Sequence, residues 1–489
     1  MARRPVNPPA DGWSLTLPPR MWAELSAHLF RDDGDEHGAV LLAGYADGPR
    51  GPRLLGRTLI RAVDGVDYVP GEFGHRALTS NFVRDAALRA HDEALAYIAV
   101  HNHLGLNTVA FSPVDMASHE RGYPALRQIT GQIVGAVVLT PHAAAGDLWL
   151  SDRTRQTLAE VVVPASNLLR LRPTPASAAA ADPRHDRQAR LFGDLGQHTL
   201  RRMRIAVVGL GGVGSIIVEH LARLGVGHLI LIDDDHVDSD GTNLPRLIAA
   251  EPDDTDRPKT ELAGRNARRA NPTIRLTILP TRVEHPDARQ ALTTCDWIFL
   301  AADGHAARHW VNTTVNQYLI PATQAGVKIP ISPATGDIGQ IHAVTRPLFP
   351  GAGCMWCNGL IDATELAIDM HPDQERLAAR YLDEVPAPSV IALNNLAAGE
   401  AVDHFMLAAT GLHDDDTDLA WVIHRPRTRE RDLLDPRRTA DCRWCTNAGA
   451  LGLGDAHRPQ RTPTFRPGQS HRTSHLVTVA DTARRGGPR

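Results

Sequence analysis

Lysine is nearly missing from this chain of 489 residues: of 52 basic residues only Lys259 and Lys328 are lysine. A lysine at a position where chemistry demands one is therefore not a by-product of composition. Cysteine is scarce as well. Five in so long a chain exclude a disulfide scaffold, and four of them form two C-x-x-C pairs, a pattern that points to metal in a reduced compartment. The net charge is only −4, which gives no support to general nucleic-acid binding. No run of about 18 apolar residues occurs, so no membrane-spanning helix is expected. The opening MARRPVNPPADGW lacks an apolar core of signal-peptide length. The expected location is cytoplasmic. With 22% charged and 5% aromatic residues, the composition is that of a soluble globular protein of two or three domains.

Hydrophobic periodicity divides the chain. Residues 12–163 read as one α/β domain. WSLTLPPRMWAELSAHL predicts a strand and a helix, and GAVLLAG, RLLGRTLIRAV, AYIAVHNH and QIVGAVVLT predict strands. SNFVRDAALRAHDEA predicts a helix capped by serine or asparagine. Residues 164–186, including the Pro- and Ala-rich RPTPASAAAADPRHD, are expected to be a linker. Residues 187–451 alternate strand and helix, the pattern of a doubly wound parallel sheet. Residues 452–489, with seven arginines and two aspartates, are expected to be a disordered tail.

The segment RIAVVGLGGVGSIIVEHLARLGVGHLILIDDD runs strand, glycine turn, helix, strand and acid. Gly209, Gly211 and Gly214 fit G-x-G-x-x-G, with Gly212 between them, and Asp233 follows 19 residues beyond Gly214. Such glycines let backbone approach phosphate, the helix N-terminus supplies N–H donors, and the acid binds ribose hydroxyls. An NAD-dependent oxidoreductase shows the same fingerprint, so this motif alone leaves two enzyme classes open.

The flanking residues narrow the choice. RHDRQARLFG precedes the turn, and DDDHVDSDGTNLPRL, DRPK, FLAADG and the two C-x-x-C pairs follow it in order. Over roughly residues 184–450 the chain resembles the family of ThiF, MoeB and the ubiquitin-activating enzymes. That resemblance implies ATP-dependent adenylation of the C-terminal carboxylate of a ubiquitin-like protein ending in glycine. It implies Arg246 and Lys259 as phosphate-binding cations, Asp233 as the ribose contact and Asn243 as a polar residue beside the phosphates. It implies Asp303 as a Mg²⁺ ligand, and Arg187 as an arginine reaching into the partner's site of a homodimer. SDGTNL is two residues longer than the family spacing. Fixed cations are the natural catalysts of this chemistry, because charge accumulates on phosphate oxygens as pyrophosphate departs.

CMWC (Cys354, Cys357) and CRWC (Cys442, Cys445) supply four thiolates, the ligand set of a closed structural Zn²⁺ site. The remaining thiol, Cys295, sits at the start of a strand whose other end carries Asp303, about 20 Å away at ~3.3 Å per residue. It is expected to be a buried structural residue. The acyl-adenylate would then pass to a separate conjugating enzyme or a sulfur donor, without a thioester on this chain.

A second constellation precedes the linker. His101 and His103 are two residues apart on a strand and share one face, Ser112 opens a helix, and Asp115 lies in its first turn. With Glu36 upstream, the set resembles the JAMM (MPN⁺) metalloproteases, although eight residues rather than seven separate His103 from Ser112 and Leu104 replaces the usual proline. The resemblance implies a catalytic Zn²⁺ on His101, His103 and Asp115, Glu36 as the base and Ser112 as an oxyanion partner. The substrate would be a peptide or isopeptide bond following a ubiquitin-like C-terminus, in a precursor or in a conjugate. The alternatives are an NAD-dependent oxidoreductase with structural zinc, a non-catalytic scaffold for a ubiquitin-like partner, and adenylation of a small carboxylate.

Overall fold

Two eight-stranded sheets organise the computed structural model, which describes residues 6–69, 74–150, 154–332, 334–371 and 388–455. The first sheet contains β1 (Trp13–Thr16), β2 (Gly38–Ala46), β3 (Arg53–Arg61), β4 (Ala96–Asn102), β5 (Val134–Thr140), β6 (Ala143–Trp149), β7 (Arg155–Pro164) and β8 (Leu168–Leu171). Their order is β1-β3-β2-β4-β5-β6-β7-β8, and β1 also pairs with β7, so seven strands close a circuit. β8 lies inside the expected linker and pairs antiparallel with β7.

The helices α1 (Pro19–Leu29), α2 (Ser80–Asp92) and α3 (Pro113–Thr130) pack on this sheet. α2 is capped by Thr79, whose side chain accepts from the Phe82 N–H; the expected serine or asparagine cap is one residue out of place. Alternation divides β4: Ile98 and Val100 enter one apolar cluster, while Tyr97 and Ala99 face another.

The second sheet has the order β11-β10-β9-β12-β13-β14-β15-β16. β9 (Arg204–Val208), β10 (His228–Ile232), β11 (Arg275–Leu279), β12 (Trp297–Leu300) and β13 (Ala322–Lys328) are parallel. β14 (His342–Leu348), β15 (Trp421–Arg425) and β16 (Glu430–Leu434) continue antiparallel. The strands are apolar on both faces because both are covered. Ile205, Val207, Leu229, Leu231, Trp297 and Phe299 join one core, which includes α5 (Gly212–Arg223) and the long helix Ile391–Thr410. Ala206, Val208, Ile230, Ile232, Ile298 and Leu300 join the other, with α7 (Pro286–Leu292) and α8 (His305–Tyr318). The order reverses between β9 and β12, which opens a crevice beyond their C-terminal ends.

The described residues up to 455 form one compact unit. Asp296 ties the two sheets together: Arg50 binds it through two nitrogens at 2.7 and 2.8 Å, and Arg170 binds it at 3.1 Å. Burial favours its neutral form, but these two guanidiniums hold its carboxyl below the ordinary value. Residues 452–455, assigned by expectation to the tail, pair with β2 through Tyr45 and Gly454, and Arg57 donates to the carbonyls of Gly449 and Leu451. The tail beyond 455 lies outside the described residues.

Candidate functional site

The glycine turn joins β9 to α5 at the crevice. Gly209 has φ +87°, and a Cβ there would stand 2.6 Å from the Ala302 nitrogen, so glycine is needed both for conformation and for contact with the loop after β12. A Cβ on Gly214 would lie 1.8 Å from the Gly209 oxygen, and one on Gly212 2.1 Å from Asn394 Nδ2. Gly211, by contrast, has none of the described residues within 4 Å of an added Cβ, at the N-terminus of α5. That open face is where an anion can meet backbone N–H groups.

Asp233, just past β10, accepts the N–H groups of Leu210 and Asp235. Burial pushes its carboxyl above the ordinary value, while Leu210 N–H and the nearby Lys259 charge oppose that rise. Lys259 opens helix α6 (Lys259–Ala270); its side chain is 7% exposed and its Nζ lies 2.7 Å from Asp235 Oδ2. The Lys259 N–H also donates to the Asp235 carbonyl, which anchors the lysine beside the acid run.

Asn243 is buried, with Oδ1 accepting from the Asp238 N–H, while its Nδ2 has no partner among the described residues. Arg246 Nε is likewise buried with no partner among them. The segment is tied to α5 by the Ile248 N–H, which donates to Ser215 Oγ. Asp303 is exposed in the loop after β12 that packs on Gly209. The open glycine cradle and these unpartnered donors fit a phosphate-bearing ligand.

Arg187 is different. It is exposed in the first turn of α4 (Asp186–Arg202), where neighbouring Gln188 bonds the Leu224 carbonyl beyond the far end of α5. Twelve helical residues at 1.5 Å each separate that end from Gly212 by about 18 Å. Arg187 does not join its own chain's glycine turn.

The four cysteines of the knuckles do come together. Cys354 Sγ lies 3.5 Å from Cys357 Sγ and 3.6 Å from Cys442 Sγ, and Cys357 Sγ lies 3.6 Å from Cys445 Sγ. A tetrahedral ion with Zn–S bonds of about 2.3 Å calls for Sγ separations of about 3.8 Å, so the set fits zinc. Trp356 and Trp444, one from each knuckle, stack at 13°, and His309 meets both edge-on. Cys295 is buried, and burial pushes its thiol up to about 12, which favours the neutral thiol of a structural cysteine.

In the first sheet, His101 Nε2 is 3.2 Å from His103 Nε2, and the Asp115 oxygens lie 3.6 and 3.3 Å from them. Nitrogen and oxygen ligands at about 2.0–2.1 Å around a tetrahedral ion stand about 3.4 Å apart, so this triad also fits a zinc ion. Burial opposes ionisation of Asp115, yet hydrogen bonds from His101, His103 and Ser112 hold its carboxyl far below the ordinary range. The same contact with Asp115 raises His103, against burial. Glu36 Oε1 is 3.7 Å from His103 Nε2. Its other oxygen meets His75 Nδ1 at 2.9 Å, a neighbour that sequence reasoning did not supply. Ser112 caps α3, and its hydroxyl donates to Asp115 Oδ2 at 2.7 Å.

Sequence reasoning also missed Asp235 and Asn394. Asp235 could have been read from the run of three aspartates after β10. Asn394 lies 182 residues from the Gly212 it packs against, and nothing local marks it.

Residues 185–413 match the model of the ThiF family. The chain is 32% identical over 162 residues to the sulfur carrier protein ThiS adenylyltransferase of Escherichia coli (strain K12), covering 33% of this chain and 61% of that protein. It is 31% identical over 165 residues to the SAMP-activating enzyme E1 of Haloferax volcanii, covering 34% and 56%. The chain thus spans less than two thirds of these relatives' own lengths. A crystal structure of E. coli MccB with ATP aligns at 21% identity and a TM-score of 0.43, over 54% of this chain and 75% of that one. The family match and the two sequence relatives support the ThiF/MoeB/E1-like resemblance for this stretch.

Proposed function

We propose, from the ThiF-family match over residues 185–413, that this chain adenylates the C-terminal carboxylate of a ubiquitin-like or sulfur carrier protein. The observation that carries the reading is the gathering of an open glycine cradle, Asp233 and buried Lys259 at the crevice between β9 and β12. A carboxylate oxygen attacks the α-phosphorus of ATP, the bond from that phosphorus to the bridging oxygen breaks, and pyrophosphate leaves with the electron pair. Lys259 and Arg246 are assigned to the phosphates, Asp233 to the ribose and Asn243 to the polar contact beside the phosphates. Lys259 must exchange Asp235 for phosphate as the nucleotide binds. Asp303 is assigned to Mg²⁺, which would screen phosphate charge. Arg187, remote from its own glycine turn, is assigned to the partner's site of a homodimer. A structural Zn²⁺ is assigned to the four knuckle cysteines.

The first sheet's triad supports a coupled (iso)peptidase of the JAMM type. Zinc on His101, His103 and Asp115 would supply Lewis-acid polarisation of a scissile carbonyl. Glu36 is the chain's own base and takes up a proton at Oε1, held in place by His75. Ser112, with its hydroxyl on Asp115, is assigned to orienting that ligand and steadying developing charge. One module would process or release a ubiquitin-like C-terminus and the other would activate it.

Incubation with ATP and a ubiquitin-like protein ending in glycine, read by intact mass, tests the pair. Partner carrying an added AMP is expected from the wild type and from Glu36→Gln, whereas cleavage of a C-terminally extended precursor or conjugate is lost in Glu36→Gln at unchanged zinc content. Absence of adenylated partner would refute the activating role. Cleavage that survives Glu36→Gln would refute the peptidase chemistry.

A further inference from the structure

At the N-terminal ends of β9, β10 and β11, the end of the second sheet away from the glycine turn, lies a cleft of about 600 Å³, within the range of small-ligand sites. Those strand starts line it with α4, the segment 180–185 that precedes α4, and loop residues Asp11, Pro49 and Arg50 beside the first sheet. Six arginines face it: Arg50, Arg184, Arg201, Arg202, Arg204 and Arg275. Three are neutralised by carboxylates, Arg50 by Asp296, Arg184 by Asp182 and Arg202 by Asp11. The other three meet no acid among the described residues. Arg204 uses its side chain on Thr294 Oγ1 and His228 Nδ1, and Arg201 and Arg275 are exposed with no hydrogen-bond or ion-pair partner among the described residues.

The arrangement follows from strand register. Arg204, His228 and Arg275 are the first residues of β9, β10 and β11, and His228 sits directly opposite both arginines. Adjacent strands stand about 4.8 Å apart, so three basic side chains share one short row on the sheet. Like charges placed directly opposite one another are destabilising. The row responds by keeping its middle member neutral: burial, Arg204 and Arg275 push His228 down to about 4, so its Nδ1 accepts from Arg204 while Nε2 meets Thr277. His198, also on the cleft, is lowered by burial and by Arg202 and Arg201.

We propose that this cleft is a second anion site, separate from the glycine turn, which takes an oligophosphate group. Three guanidiniums without carboxylates match the charge of a di- or triphosphate, and planar N–H forks suit phosphate oxygens. A nucleotide and a free polyphosphate present the same group. The cleft also lies between loop residues of the first module, Asp11 and Arg50, and the strand starts Arg204 and Arg275 of the second sheet, so its occupant would bridge the two.

The test uses the full chain carrying Lys259→Ala, which disables the proposed nucleotide site, titrated with tripolyphosphate, pyrophosphate and ATP at low and moderate salt. Salt-sensitive binding at one equivalent is expected, about tenfold weaker in the added double change Arg201→Ala/Arg275→Ala. Both side chains are exposed and meet no partner among the described residues, so the unfolding midpoint of the ligand-free variant should not move. ATP binding more tightly than tripolyphosphate identifies a nucleotide as the ligand, and equal affinities identify the bare oligophosphate. Absence of saturable binding to the Lys259→Ala chain, or binding indifferent to the double change, would overturn the proposal.

Discussion

Two glycines six and three residues past β9 separate the turn's role in folding from its role in binding. Gly214 has the Gly209 oxygen 1.8 Å from the position of an added Cβ, and neither atom can yield without opening the turn. Gly211 has φ −72° and, among the described residues, nothing within 4 Å of an added Cβ, so alanine fits its backbone and merely fills the open cradle. Gly214→Ala is therefore expected to lower the unfolding midpoint and abolish nucleotide binding together. Gly211→Ala should leave the midpoint within about 0.5 kcal/mol of wild type while weakening ATP at least tenfold. Parallel denaturant melts and ATP titrations of the two variants check the separation. Equal loss of stability in both would contradict it. At this scale the motif residues were legible because each answers to a local constraint: a positive φ, a ligand spacing of i and i+2, or a cap in the first turn of a helix. Asn394 was not, since its contact with Gly212 is made by a helix far along the chain.

Among the elements, the decisive pairing is between the start of β12 and the first sheet. Asp296 is 6% exposed at its side chain, and it accepts from Arg50, Arg170 and the Arg204 N–H. Arg170 is itself 5% exposed and is shared with Glu160. Removing Asp296 strips Arg50 of its acid and leaves Arg170 to Glu160 alone, a loss of up to about 3 kcal/mol. Asp296→Ala should show that loss in urea or guanidinium unfolding, and a change below about 1 kcal/mol would mean that the network is relieved by water. Periodicity showed the doubly wound pattern and most strands of the first sheet, because alternation and the 3.6-residue repeat are local signals. It did not show β8 within the expected linker, nor the docking of residues 452–455 on β2. Both depend on backbone pairing with strands elsewhere, which leaves no periodic mark in the paired segment itself.

For the whole molecule, two clusters fit for zinc and the crevice proposed for nucleotide lie, among the described residues, in a single compact unit, and the two knuckles close across 84 intervening residues. The second knuckle leads directly into residues 446–455, which Arg57 and Tyr45 bind to the first sheet. The knuckle thus fastens the chain at the junction of the two modules, a link invisible in the C-x-x-C spacing alone. No helix of the described residues is long and apolar enough to cross a membrane. The account's central claim is that Lys259, one of only two lysines, serves phosphate chemistry at the crevice. ATP–pyrophosphate exchange with a ubiquitin-like protein ending in glycine measures that chemistry directly. The account predicts exchange that requires the partner, falls at least a hundredfold in Lys259→Ala, and persists in Glu36→Gln. Exchange unchanged by Lys259→Ala, or none with any such partner from a chain that instead binds NAD, would contradict it.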